Sequence, residues 1–164
     1  MTQIIVNFFS QFPAWLATLL MATTPVGELR LALPVAILKF GMPVWQAFLF
    51  AVVGNMIPAT LILLLAGPFH RYVQKGSGRF FGKAWTRSLA RAQEKFAKDY
   101  EKYGLIGLMI FIGVPLPMTG AWTGSLAAFV FGIPAKKSWP YVFGGVLISG
   151  VITTIITVGL GKIF

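Results

Sequence analysis

Glu28 and Arg30 are the only charged side chains ahead of Lys39, and they stand two apart inside an otherwise apolar stretch. A charge at the centre of a bilayer costs roughly 2.5–3.5 kcal/mol even on lenient insertion scales, so such residues face a cavity and find partners. At i and i+2 on a helix the two leave from different faces, and they meet only where the backbone is extended. The carboxylate offers a protonatable group. The arginine offers a contact to an anionic headgroup, or a charge that tunes the acid. An ion pair that merely pins a turn would use the same two residues.

A second cluster is Pro115-Leu116-Pro117-Met118-Thr119-Gly120-Ala121-Trp122-Thr123-Gly124. Pro115 and Pro117 remove backbone donors and end a helix near Gly113. Broken backbone in an apolar medium leaves N–H and C=O groups that need partners, and such groups can ligate phosphate or cations. Thr119 and Thr123 add hydroxyls, and Trp122 can stack on a ligand or anchor at an interface. Gly120 and Gly124 form a GxxxG pair, which also serves close helix packing. Asn55, beside Gly54 and ahead of Pro58, is either helix glue or a cavity contact.

These residues exclude most enzyme chemistry. With no Cys, a single His (His70) and one acid outside the stretch from Arg71 to Lys102, no His-rich metal set or carboxylate dyad is available. Ser125 and Ser149 have no His or Lys nearby in sequence to activate them. No Walker loop or Rossmann glycine run occurs. The expectation is no catalytic residue, no metal and no cofactor.

The elements that must position this chemistry follow from composition. The chain is 57% hydrophobic and 11% charged, where a soluble domain carries roughly 25% charged residues. The net charge of +10 does not indicate nucleic acid, because nine of the 14 Lys and Arg fall between Arg71 and Lys102. A basic cluster between apolar segments is what the positive-inside bias places in the cytoplasm, beside anionic headgroups. From Lys83 to Lys102 an amphipathic helix is expected.

Four apolar stretches remain, at about 4–40, 44–68, 104–133 and 138–161. The second and fourth suit spans of ~20 helical residues. The first is interrupted at Thr23-Thr24-Pro25-Val26-Gly27-Glu28 and the third at the Pro115 run. After each break about 12 apolar residues rise only ~18 Å, short of a ~30 Å core. Each is therefore expected to be a re-entrant hairpin.

A repeat supports this. Phe40-Gly41-Met42-Pro43 returns as Phe131-Gly132-Ile133-Pro134, and the same offset pairs Gly54 with Gly145. Pro25 to Glu28 lines up, one residue off that register, with Pro117 to Gly120. The expected fold is all-α integral membrane. Repeat 1 covers 1–68, the basic cytoplasmic connector 69–103 and repeat 2 residues 104–164. Each repeat is a re-entrant hairpin followed by a transmembrane helix. Hairpins keep Lys136 and Lys137 on the cytoplasmic side and leave Lys39 outside, so the repeats are inverted.

At Glu28-Leu29-Arg30-Leu31-Ala32-Leu33-Pro34, Gly54-Asn55 with Pro58, and the Pro115 to Gly124 run, the chain resembles the small multidrug export protein family of prokaryotes. That family is in turn similar to DedA/VTT-like membrane proteins. The family pattern tends to have Gly after Arg30, where this chain has Leu31, which would alter the flexibility of the tip. The resemblance implies facing re-entrant hairpins in inverted repeats. It also implies movement of lipid carriers such as undecaprenyl phosphate, scrambling of phospholipids, or drug export, with proton coupling. The expected protein is a multi-pass transporter or flippase of the prokaryotic inner membrane for a lipid-like or amphipathic substrate, a polyprenyl phosphate, a phospholipid or a drug. Glu28 would be the proton-linked carboxylate and Arg30 the headgroup contact. The expected partners are membrane lipids and the substrate, without nucleic acid, and a second copy, since two spans are a thin bundle. A non-transporting assembly or insertion factor is the alternative.

The chain has no native Cys, so a single Lys136→Cys variant reports topology directly. An impermeant maleimide should label it from the cytoplasmic side. Labelling from outside would mean that 104–133 simply spans.

Overall fold

The computed structural model describes residues 9–74, 104–115, 119–131 and 133–160. The first eight residues, Pro117 and the connector from 75 to 103 lie outside the described residues. Among the described residues all regular structure is helical. The helices are α1 (Ala14–Thr23), α2 (Glu28–Pro34, continuing as a π-helical turn over Val35–Lys39), α3 (Val44–Gln74), α4 (Leu105–Gly113), α5 (Ala121–Val130) and α6 (Ala135–Leu160).

Two helical stretches are long and apolar enough to cross a membrane, Val44–Leu65 of α3 and Ala135–Gly159 of α6. Their outer faces carry large uncovered apolar side chains; Trp45 is 67% exposed and Ile155 66%. A soluble core helix would bury such residues, so this surface belongs in lipid. The ten residues of α1 and of α5 rise only ~15 Å each and cannot cross alone. Helix α1 follows Pro13, whose carbonyl accepts from Ala17 N–H at 2.9 Å. The last helix begins at Ala135, which brings Lys136 and Lys137 into its first turn. The helix that opens at Val44 continues past Pro68 to Gln74.

The order of contacts gives the directions of the chain. Trp15 packs on Phe50 at 5.8 Å between ring centroids. A Cβ on Gly54 would lie 2.3 Å from Leu19 O. Later residues of α1 thus meet later residues of α3, and the two run parallel. Between them α2 comes back: Thr18 Oγ1 donates to the sulfur of Met42, just beyond α2, at 3.3 Å. The second half repeats the pattern. A Cβ on Gly145 would sit 2.8 Å from Met109 O, and one on Gly113 3.0 Å from Ile148 Cγ2. So α4 runs parallel to α6. The sequence-paired Gly54 and Gly145 do the same work, each admitting the backbone of a short helix against a long one.

The long helices run antiparallel. Trp139 Nε1 donates to Thr60 Oγ1 at 3.0 Å, while Gly150 faces Phe48. Across this crossing the halves exchange short helices, α5 packing on α3 and α2 on α6. Leu29, Leu33, Met21, Leu63, Ile112, Val142 and Val146 fill the core between them.

The proline that ends the Phe-Gly-x-Pro signal opens a long helix in both halves. Gly41 has φ +63°, a conformation that closes a helix and favours glycine. The Pro43 carbonyl then accepts from Gln46 and Ala47, and the Pro134 carbonyl from Lys137 and Ser138, all within 2.9–3.0 Å.

Gly54→Ala should drive α1 off α3 and cost about 1–3 kcal/mol by overpacking. Gly107, exposed on α4 with nothing within 4 Å of an added Cβ, should accept Ala without loss. Thermal unfolding of the detergent-solubilised variants separates the two.

Candidate functional site

The break between α4 and α5 exposes a helix C-terminus and a helix N-terminus to an apolar setting. Four carbonyls and four N–H groups there lack helical partners. The side chains that meet them come from the other half of the chain. Glu28 Oε2 accepts from Ala121 N–H at 3.0 Å and Oε1 from Trp122 N–H at 3.2 Å. One carboxylate thereby caps the start of α5, where the helix dipole also favours negative charge. The N–H of Gly120, just ahead of α5, is satisfied locally, as Thr123 Oγ1 accepts from it at 3.0 Å.

Arg30 serves the opposite end. One terminal nitrogen donates to Ile112 O at 3.2 Å and Val114 O at 3.1 Å, in the last turn of α4 and just beyond it. It also reaches Thr119 Oγ1 at 3.3 Å, and Nε reaches Ser149 Oγ on α6 at 3.3 Å. Glu28 and Arg30 thus do not require an extended backbone to share a role: from neighbouring positions they address the two ends of one break. Trp122 returns the favour, its indole N–H donating to Thr23 O at the end of α1, 3.2 Å away.

Local backbone geometry aims Glu28. Gly27 has φ +92° and Glu28 itself φ +51°. The left-handed region is costly for a non-glycine residue, on the order of 1–3 kcal/mol, and persists where surrounding contacts determine it. Here the two N–H bonds of α5 supply those contacts. Space is equally constrained. A Cβ on Gly120 would fall 2.2 Å from Glu28 Oε2, so position 120 must be glycine for the carboxylate to seat. Behind it lies Asn55, 3% exposed, with Nδ2 3.5 Å from Glu28 Oε2. Its Oδ1 is buried with no partner among the described residues.

In front of this contact opens a cavity of about 550 Å³. The first half contributes Pro25, Gly27, Glu28 and Arg30, and the second Pro115, Thr119, Trp122 and Thr123, with Leu31 and Leu126 as apolar walls. Six of the residues singled out in the sequence therefore line one space: Glu28, Arg30, Pro115, Thr119, Trp122 and Thr123. Gly120 and Asn55 support Glu28 from the side and from behind. Pro117 is outside the described residues. Ser149 was not among the expected site residues. Its signal is a buried polar stripe on α6, Ser149, Thr153 and Thr157 at four-residue spacing. Among the described residues no three His, Cys, Asp or Glu side chains come together.

Comparison with curated proteins found no match, and comparison with solved structures found none. A family profile, that of the small multi-drug export proteins, matches residues 28–152. The matched region opens on Glu28 and includes Asn55, Gly120, Trp122 and Ser149, and so holds both sides of the contact just described. With two apolar helices of spanning length and three quarters of its length under that profile, the chain belongs to the small multi-drug export protein family.

Proposed function

We propose that this membrane protein exports a lipid-like or amphipathic substrate through the cavity between its two halves, and that Glu28 couples export to protons. The family indicates a transporter rather than an enzyme. The observation that carries the finer reading is the cavity itself. Its walls are mainly apolar, and its charged lining comes from Glu28 and Arg30, both on one broken tip.

In this reading the two halves are inverted repeats, α1–α2 and α4–α5 are re-entrant hairpins, and the cavity lies near the bilayer midplane. Parallel α1 and α3, parallel α4 and α6, and antiparallel α3 and α6 support it. The ionised Glu28 holds α5 against α2 through two charge-assisted bonds, each worth roughly 1.5–3 kcal/mol. A protonated carboxyl accepts less strongly and must place a donor, so the start of α5 loosens. Proton uptake would then part the tips and release the substrate, and deprotonation would close them. Arg30 keeps the cavity positive on the side of Thr119, favouring an anionic headgroup, while Leu31, Leu126 and the Trp122 ring take the apolar portion.

In proteoliposomes the wild type should move a fluorescent short-chain phospholipid, faster under an imposed proton gradient. Glu28→Gln should fall to the level of protein-free vesicles while the purified variant stays monodisperse on gel filtration. Full transport by that variant would remove Glu28 from the mechanism. Movement of a cationic dye without lipid would make the substrate drug-like. Gly120→Ala should displace the carboxylate and lose transport too. It should lower the thermal midpoint by an amount corresponding to about 3–6 kcal/mol, because two charge-assisted bonds go together.

A further inference from the structure

The long helices carry a second recess that shares no residue with the cavity between the tips. It is about 440 Å³ and lies along α3 and α6, between Val53, Met56 and Ile57 on one side and Trp139 and Phe143 on the other. Its lining is apolar except for Thr60, and the Thr60 hydroxyl already accepts from the Trp139 indole at 3.0 Å. That bond, with Phe143 stacked on Trp139 at 5.3 Å and 10° between planes, fixes the tryptophan as one wall.

The occupant is indicated by what stands at the end of this wall. Lys136, Trp139 and Phe143 are spaced i, i+3 and i+7, and so share one face of α6. Lys136 and its neighbour Lys137 are exposed in the first turn of that helix. The only acid among the described residues is Glu28, engaged by α5. No described carboxylate therefore answers the two lysines. A cationic end, an indole at interfacial depth and an apolar trough running into the span match a phosphate headgroup with its acyl chain.

We infer that the α3–α6 groove is a binding site for one anionic glycerophospholipid, its phosphate at Lys136 and Lys137 and an acyl chain lying between Met56 and Phe143. The site does not depend on the transport reading, since a resident lipid would hold the antiparallel pair together whether or not anything passes the tips.

Native mass spectrometry of the detergent-purified chain titrated with phosphatidylglycerol or phosphatidylcholine tests it. The wild type should retain one phosphatidylglycerol in preference to phosphatidylcholine. Each of Lys136→Gln and Lys137→Gln should weaken retention about fivefold, the value of ~1 kcal/mol per basic residue at an anionic surface. Val53→Trp, at a position 44% exposed on the groove's rim, should fill the trough and abolish retention without disturbing the core. Equal retention of the two lipids, unchanged retention in the lysine variants, or survival of binding in Val53→Trp would each overturn the inference. So would efficient disulfide dimerisation of a lone Val53→Cys variant in lipid bilayers, because a second copy would then occupy the groove.

Discussion

The contact between the two halves depends on how the break between α4 and α5 satisfies its loose ends. Unpaired backbone groups in lipid cost several kcal/mol each, so a break survives only where protein or water replaces the missing bonds. Here the replacement comes from the other half of the chain. Glu28 closes the N-terminal end of α5, and Arg30 the C-terminal end of α4. The signs follow the helix dipole, negative at the N-terminus and positive at the C-terminus. The desolvation that makes either charge expensive in lipid is offset by the groups that would otherwise be left unpaired. Break and charges stabilise one another.

The arrangement also explains why two similar halves are not identical at their tips. Glu28 falls opposite Gly120 when the halves are aligned, and in space its carboxylate occupies the volume a Gly120 side chain would need. Two carboxylates could not share that place: at such separation like charges repel strongly in a low dielectric, and one would have to take up a proton. A single acid facing a glycine resolves the conflict. The first half supplies the charge and the second the exposed N–H groups, so the meeting point is asymmetric although the surrounding helix packing is nearly repeated.

Much of this architecture was legible before any coordinates. Prolines and glycines marked both breaks, because they alter the backbone itself and act locally. The sequence paired Gly54 with Gly145 only as a repeat; that each admits a neighbouring backbone where a Cβ would not fit is seen in the structure. What remained hidden was tertiary. Nothing in Glu28-Leu29-Arg30 states that its charges will reach Ala121 and Val114, some ninety positions away; that follows from how α2 and α5 cross between the long helices. Ser149 was weighed only as a nucleophile and not placed in the site, because one hydroxyl in an apolar helix carries no signal until its stripe with Thr153 and Thr157 is seen on a buried face.

The overlap between scaffold and cavity limits how such a protein can work. In most sites the groups that hold the fold lie behind the groups that touch a ligand. Here Glu28, Arg30, Thr119 and Trp122 do both: they tie the tips together and they line the space between them. On the proposed function, a headgroup entering that space would compete for donors now spent on Ile112 and Val114, and a proton arriving at Glu28 would weaken the hold on α5. Occupancy, charge and tip separation would then be one equilibrium, a change in any one shifting the others by linkage. The left-handed backbone of Glu28 adds to this, because it is held by the same two bonds that a proton would loosen. Once they weaken, α2 gains by relaxing. On that proposal the tip would move as a unit on α1 and α3, whose close contact at Gly54 holds the rest of the half in place.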